Sequence, residues 1–452
     1  MKVMNALSPA FFLIFAEQQP LLMNDVSLPT KYHLKSLVTG KTFDDAGWIL
    51  DAPGEPTPSL LASVYEKKQL EIKDDRFGIY KFAEWLPLHR ILEGSSAPVT
   101  YKSENIARHL GLENLYITFS GYWPERGALM RTCSFKETEA YSVCARMRPE
   151  EHQTLVVASA GNTARAFARV CSDNRIPLLL SVPVDTLDAL WFDEPLNDCV
   201  TLISPPAGCD YYDAIHLSNL VCQLEGFIPE GGAKNVARRD GMATTVLSAA
   251  TTIGRIPDVY FQAVGSGTGA IAAWEANLRL LNDGRYGSHK MKLYLSQNCP
   301  FHPMVDAWQA GSRELFAMED QKARELVLQI NAKVLSNRRP PYGIIGGLFD
   351  ALSDTLGEMV VITNEEAAEA ARLFEDEEGI DIHPAAAVAV ASLMQAVHGN
   401  KVSRDTVIML NITGGGEERL RKEKDKLVYL KPFLVISPDV TTSELQEKIR
   451  PV

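Results

Sequence analysis

Short, mainly apolar runs bounded by turn residues recur along the chain, with helical patterns between them. Thr154–Ser159 (TLVVAS), Ile176–Val182 (IPLLLSV), Val259–Val264 (VYFQAV), Lys292–Ser296 (KLYLS) and Val407–Asn411 (VIMLN) have the length of strands. Helical patterns cover 162–173, 271–282, 364–375 and 383–398. Strands alternating with helices mean βαβ units and a mostly parallel sheet. The expected fold class is therefore α/β, with open sheets flanked by helices. At 452 residues the chain suits two or three packed subdomains better than one core.

In such sheets, ligands bind beyond the carboxyl ends of the strands. Three strand-to-loop junctions occupy that position: Ala158–Thr163, Gly265–Gly269 and Asn411–Gly416. The run Gly265-Ser266-Gly267-Thr268-Gly269 ends one strand and opens a helix. Its glycines let backbone N–H groups close round an anion, Ser266 and Thr268 can add hydroxyl donors, and a helix N-terminus favours negative charge. A phosphate monoester suits such a cup. The dinucleotide pattern GxGxxG is not matched, and Ala270 and Ile271 follow where a nucleotide loop would carry lysine.

Lys136 lies in Thr132-Cys133-Ser134-Phe135-Lys136-Glu137. A lysine flanked by hydroxyls is ordinarily a solvated surface residue. Lysine is also the side chain that forms Schiff bases when its amine is desolvated. Beside a phosphate cup it points to an aldehyde cofactor bearing a phosphate, which describes pyridoxal 5'-phosphate. In Ser159-Ala-Gly-Asn162-Thr163, serine, asparagine and threonine suit a helix cap. The N–H groups there could also hold a substrate carboxylate, with Asn162 at the cofactor's phenolic oxygen. Asn411-Ile-Thr413 ends the last strand before three glycines. These are expected to strip the wall bare for a flat ring, with the Thr413 hydroxyl at the ring nitrogen. A hydroxyl there gives a milder electron sink than an aspartate-paired ring, suited to elimination at Cβ.

A formal charge of −12, from 45 basic and 57 acidic residues, argues against nucleic acid or an anionic membrane as the main partner. It leaves room for a small anionic substrate, which needs only a few local cations. Seven cysteines without a CxxC pair fit neither a disulfide framework nor a zinc site, and match a reducing cytoplasm. The apolar run Leu7–Ala16 is far shorter than the roughly 20 residues a membrane span requires. Glu17-Gln-Gln-Pro stands where a signal peptide would show small residues. Residues 1–26 are expected to form a disordered extension, with Met23 an alternative start.

Taken in chain order, TCSFK (132–136), SAGNT (159–163), GSGTG (265–269) and NITGGG (411–416) resemble the threonine synthase family of fold-type-II pyridoxal-phosphate enzymes. Phe82-Ala-Glu-Trp-Leu-Pro-Leu is similar to that family's entry into its first domain. Tyr32-His-Leu-Lys, Gly40 and Gly47-Trp-Ile-Leu-Asp are similar to its zinc-ribbon-style start, without the ribbon cysteines, so no metal is expected. The resemblance implies a tryptophan synthase β-like fold with the cofactor between two domains. It implies a degenerate ribbon over 27–65, a large cofactor domain from 66–130 and 250–452, and a smaller α/β domain over 131–249. Lys136 is then the Schiff-base lysine and catalytic base. Lys136, Asn162, Gly265, Ser266, Gly267, Thr268, Gly269 and Thr413 bind the cofactor, and Thr132, Ser134, Ser159 and Thr163 face substrate. The family's members are seldom monomers, which implies a homodimer or homotrimer.

The departures narrow the resemblance. Glu137-Thr138-Glu139 replaces the Asp-Arg that follows the lysine in threonine synthases, and GYWPERGALMRT (121–132) replaces their proline- and asparagine-rich run. Both features look most like the cysteate synthase branch. That branch implies β-replacement, turning O-phospho-L-serine and sulfite into L-cysteate and phosphate on a route to coenzyme M. The alternative is threonine synthase chemistry on O-phospho-L-homoserine, or another β-elimination or replacement. A catalytically silent pyridoxal-binding protein fits less well, because it need not keep Lys136, Asn162, the glycine loop and Thr413 together. Phosphate and sulfite are both anions, so cations are expected near Cβ; Arg126 and Arg131, close to the lysine segment, are the candidates. Cys133 reads as a small buried thiol.

Overall fold

An apolar run long enough for one strand needs both of its faces covered, and helices do this for two sheets here. The computed structural model describes residues 28–159, 161–424 and 426–449. The expected extension, with the Leu7–Ala16 run and Met23, lies outside the described residues. The larger sheet orders six strands as Glu358–Ile362, Lys292–Asn298, Val259–Ala263, Val407–Ile412, Asn114–Phe119 and Val99–Lys102. All neighbours run parallel except the last pair, where Val99 faces Phe119 in an antiparallel register.

Val259–Ala263 and Val407–Ile412 are buried along their whole length. Successive side chains alternate between two cores. Tyr260 and Met409 pack with helices Val236–Ile253 and Thr268–Asp283 on one face. Phe261, Ile408 and Leu410 pack with helices Asn364–Glu378 and Pro384–His398 on the other. The last of these helices turns a row of alanines inward, which lets its backbone lie close to the sheet.

The smaller sheet has five parallel strands in the order Phe227–Pro229, Thr154–Ala158, Leu178–Ser181, Val200–Ser204 and Leu434–Val435. Helices Lys136–Arg146 and Asn162–Asp173 cover one face, and Tyr211–Val221 and Thr442–Lys448 the other. The fifth strand departs from the expected division, which kept everything after residue 250 with the larger sheet. The chain returns: Phe433 N donates to Leu202 O at 2.9 Å and Ile436 N to Ser204 O at 3.0 Å. A two-residue strand leaves no hydrophobic pattern, but it covers the otherwise open edge at Val200–Ser204. Near the start of the chain, Tyr32–Ser36 pairs antiparallel with Thr42–Phe43 and Leu61–Tyr65.

Helix Val236–Ile253 touches both halves. It lies on the larger sheet and packs along the lysine helix Lys136–Arg146. Gly241 makes this approach possible. A Cβ there would stand 2.8 Å from Ser142 Cβ and press on the Thr138 carbonyl, so the helices could not keep their distance. Gly241→Ala is therefore expected to cost about 1–3 kcal/mol through overpacking. Urea unfolding should show the midpoint falling at unchanged slope.

Candidate active site

The carboxyl end of strand Val407–Ile412 is tied to the segment before the lysine. Phe135 N donates to Thr413 O at 3.0 Å, Gly415 N donates to Cys133 O at 3.1 Å, and Ser134 bridges Gly414. These bonds hold the first turn of helix Lys136–Arg146 over the edge of the larger sheet. Lys136 is the first residue of that helix, and its N–H donates to Ser134 Oγ at 3.2 Å.

The interlock corrects one expectation. The three glycines after Thr413 do not bare a wall for a ring; they accept other segments of this chain. A Cβ on Gly414 would lie 2.9 Å from Cys133 O, and one on Gly415 would lie 3.1 Å from Ile382 Cα. Gly416 sits at φ +74°, where a side chain is strained. Of this segment, Thr413 lines the pocket.

Lys136, Ser159, Asn162 and Thr163 meet Gly265–Gly269 and Thr413 around a single pocket between the two sheets. Strand Val259–Ala263 delivers the glycine loop, and helix Thr268–Asp283 carries the chain away. Gly267 has φ +78°, and a Cβ on it would meet Leu348 Cδ2 at 2.9 Å. A Cβ on Gly265 would lie 2.8 Å from the Val334 carbonyl. Ser266 Oγ and Thr268 Oγ1 are 2.9 Å apart, at the N-terminus of a 16-residue helix. Hydroxyls, free N–H groups and the helix dipole together form a donor set that fits a phosphate.

Asn162 opens helix Asn162–Asp173, and its Oδ1 accepts from Arg165 at 3.0 Å. Arg165 is itself fixed by the Thr132 carbonyl at 2.9 Å and by the Trp191 ring at 4.1 Å. The carbonyl end of the amide is thus engaged, which leaves its NH₂ to donate into the pocket. Burial holds the Lys136 amine below the ordinary lysine range, against the pull of Glu139. A desolvated lysine that reaches the neutral form more easily, facing a phosphate cup and an amide donor, fits an aldehyde cofactor bearing a phosphate.

Four expected substrate residues lie elsewhere. The Ser134 hydroxyl serves the Lys136 N–H. Thr132 is buried, with its N–H donated to Glu137 and its carbonyl taken by Arg165. Arg126 is exposed and stacks over Tyr101 at 3.9 Å and Trp123 at 4.6 Å. Arg131 is bound to both Asp193 oxygens at 2.8 Å and to Glu194 at 2.9 Å. Neither arginine lines the pocket. Both arginines precede helix Lys136–Arg146, Arg126 beside the hairpin of Tyr122–Trp123 with Ala128–Leu129 and Arg131 among carboxylates, so nearness to Lys136 in sequence does not bring them to the cleft.

The pocket's cations, Arg238 and Lys333, come from further along the chain, and His383 and Tyr211 line it with them. Arg238 is held by Glu230 at 2.6 Å and lies 3.2 Å from Glu139. Its neighbour Arg239 is fully buried in a pair with Glu275 at 3.0 Å. The dipeptide Arg238-Arg239 was visible in the sequence, but only the phase of helix Val236–Ile253 says which of the two faces the cleft.

Residues 101–414 match the family model described as pyridoxal-phosphate dependent enzyme. The chain belongs to that family, and pyridoxal 5'-phosphate is its cofactor. Within it the chain belongs with the cysteate synthases. It is 50% identical to cysteate synthase of Methanosarcina acetivorans over 394 residues, 87% of this chain and 94% of that one. It is also 50% identical to cysteate synthase of Methanosarcina barkeri over 417 residues, 92% of this chain and 99% of that one. Among solved structures, threonine deaminase isoform 2 from Solanum lycopersicum superimposes with a TM-score of 0.52 at 19% identity, covering 72% of this chain and 88% of that one. At that identity the likeness speaks for the fold, which is fold-type II. No helix among the described residues is long and apolar enough to cross a membrane.

Glu137, next to the lysine, is buried and has its carboxyl pushed up to about 7, mainly by burial and against the Thr132 N–H bond. The folded protein therefore prefers the protonated acid more than the unfolded chain does. Its contribution is fully present below pH 4.5 and is lost as pH rises through about 7. Glu137→Gln keeps an oxygen for Thr132 N without the charge. Its stability advantage over the parent should be small at pH 5 and grow to roughly 3 kcal/mol by pH 8. Urea unfolding at the two pH values measures this difference.

Proposed function

We propose that this protein converts O-phospho-L-serine and sulfite into L-cysteate and phosphate by β-replacement. The observation that carries this reading is a lysine amine, a phosphate cup and the cation Arg238 lining one pocket, in a chain half identical to cysteate synthases over nearly its whole length. Lys136 would hold the cofactor's aldehyde carbon, and Gly265, Ser266, Gly267, Thr268 and Gly269 its phosphate. Asn162 would donate to its phenolic oxygen, and Thr413 would meet its ring nitrogen. Bound there, pyridoxal phosphate supplies the electron sink that makes the substrate's Cα–H acidic.

The chain's own residues do the rest. Ser159, Thr163 and the N-terminus of helix Asn162–Asp173 receive the substrate carboxylate. Lys136, once displaced by the substrate amine, takes the Cα proton. The Cβ–O bond breaks, and phosphate departs with its electron pair toward Arg238. Sulfite forms the Cβ–S bond from its sulfur lone pair, and Lys136 returns the proton to Cα. Arg238 takes the role first expected of Arg126 and Arg131, because a partly desolvated guanidinium binds oxyanions more strongly than a solvated one. The enzyme is read as a cytoplasmic homodimer or homotrimer.

Lys136→Ala should abolish the visible absorbance of the cofactor-loaded protein and lower turnover by about 10³-fold or more, as removal of a covalent and acid–base group does. Phosphate release should be seen with O-phospho-L-serine plus sulfite. Release from O-phospho-L-homoserine alone would instead make the enzyme a threonine synthase.

A further inference from the structure

The chain differs from threonine synthases directly after its lysine, in Glu137-Thr138-Glu139, and the structure gives the two glutamates separate employment. Glu137 serves the backbone of Thr132. Glu139, one helical turn beyond Lys136, turns toward the pocket wall. Its Oε2 lies 3.2 Å from Lys136 Nζ and 3.2 Å from Arg238 Nε. The side chain is fully buried, whereas Lys136 and Arg238 keep 18% and 12% of theirs exposed to the cleft.

The bonding of this carboxylate is incomplete. Its Oε1 is buried without a hydrogen-bond partner, and Arg238 Nε, though near Oε2, makes no aligned hydrogen bond. A buried ion pair kept for structure alone has its lone pairs and protons satisfied, since desolvation is otherwise uncompensated. Here one oxygen serves two cations and the other waits. Both cations line the pocket, and one is the lysine whose charge changes in the reaction.

We propose that Glu139 is a positioning residue for the proton transfers at Cα: its carboxylate is the counter-ion of the ammonium that Lys136 becomes, and it ties that lysine to Arg238. The proposal rests on the reading of Lys136 as the cofactor-binding lysine and base. In the abstraction step the Cα–H bond breaks and its electron pair stays with the carbon. The proton forms an N–H bond to Nζ, so a neutral amine becomes an ammonium inside a partly desolvated pocket. That charge is costly there unless an anion stands beside it. Glu139 is that anion, and on reprotonation of Cα it is left to Arg238, so the carboxylate is never without a cation.

The groups facing the lysine fix the signs. Glu139 from its own helix and Glu230, after strand Phe227–Pro229, favour the ammonium, while burial and Arg238 oppose it. Tyr211, Lys333 and His383 complete the titratable lining of the pocket. Without Glu139 the amine should be free at lower pH, and without Arg238 the ammonium should persist to higher pH.

The test uses the full-length protein, stripped of cofactor and reloaded with pyridoxal phosphate, with the rate of return of visible absorbance followed against pH. Glu139→Gln is expected to move the half-point of this profile down by about 1–3 pH units. Arg238→Gln should move it up, and Glu139→Asp should keep it near that of the parent. The acid limb of the turnover profile should follow the same order. A purely structural role would lower the melting temperature and slow loading at every pH alike, leaving the half-points together; that result overturns the proposal. If Glu139→Gln does not fold, Arg238→Gln decides, and an unmoved half-point in it is equally fatal. Failure of the underlying reading looks different, since Lys136→Ala would then keep the visible band.

Discussion

The pairing of Cys133–Phe135 with Thr413–Gly415 is the contact on which the rest of the site depends. It joins the carboxyl end of a buried strand in the larger sheet to the residues that launch the lysine helix of the smaller one. Backbone hydrogen bonds of this kind require main chain against main chain, and side chains would intervene. That is why glycine occupies 414, 415 and 416, each of whose Cβ positions is already filled by another segment. Lys136 reaches the cleft because its helix starts at this seam.

A second close approach fixes the direction of that helix. Val236–Ile253 packs along it at Gly241 and also lies on the larger sheet. The same helix presents Arg238 to the pocket, one turn before the glycine that permits the approach. Lysine, arginine and the glutamate between them are therefore set by a single helix–helix contact. The phosphate cup, by contrast, is set from the larger sheet alone, by a strand end and a helix start. The pocket lies where these two independently built walls face one another.

Much of this was legible from residues alone. The five apolar runs became strands at nearly the same limits, because a mainly apolar run of that length between breakers has few other fates. Ser159, Asn162, Thr163, Gly265–Gly269 and Thr413 do line one pocket, since each follows the carboxyl end of a strand, and Lys136 joins them from the first turn of its helix. What failed were inferences from nearness in sequence. Arg126 and Arg131 lie close to Lys136 along the chain but bind aromatic rings and carboxylates outside the cleft. The strand Leu434–Val435 was invisible because two residues carry no periodicity, and its pairing is stated only by the edge it covers.

The α/β class, the places of the main strands along the chain and the loops that meet at the pocket were all readable from residues. Those features follow from local rules: the period of apolar residues, the conformational freedom of glycine and the donors at a helix start. Packing alone settles which cations line the pocket, that the last three glycines lie against other segments of the chain, and that Glu139 stands between Lys136 and Arg238. These depend on which face of a helix meets which neighbour across long separations in the chain, and a contact of that kind leaves no pattern in the residues on either side of it.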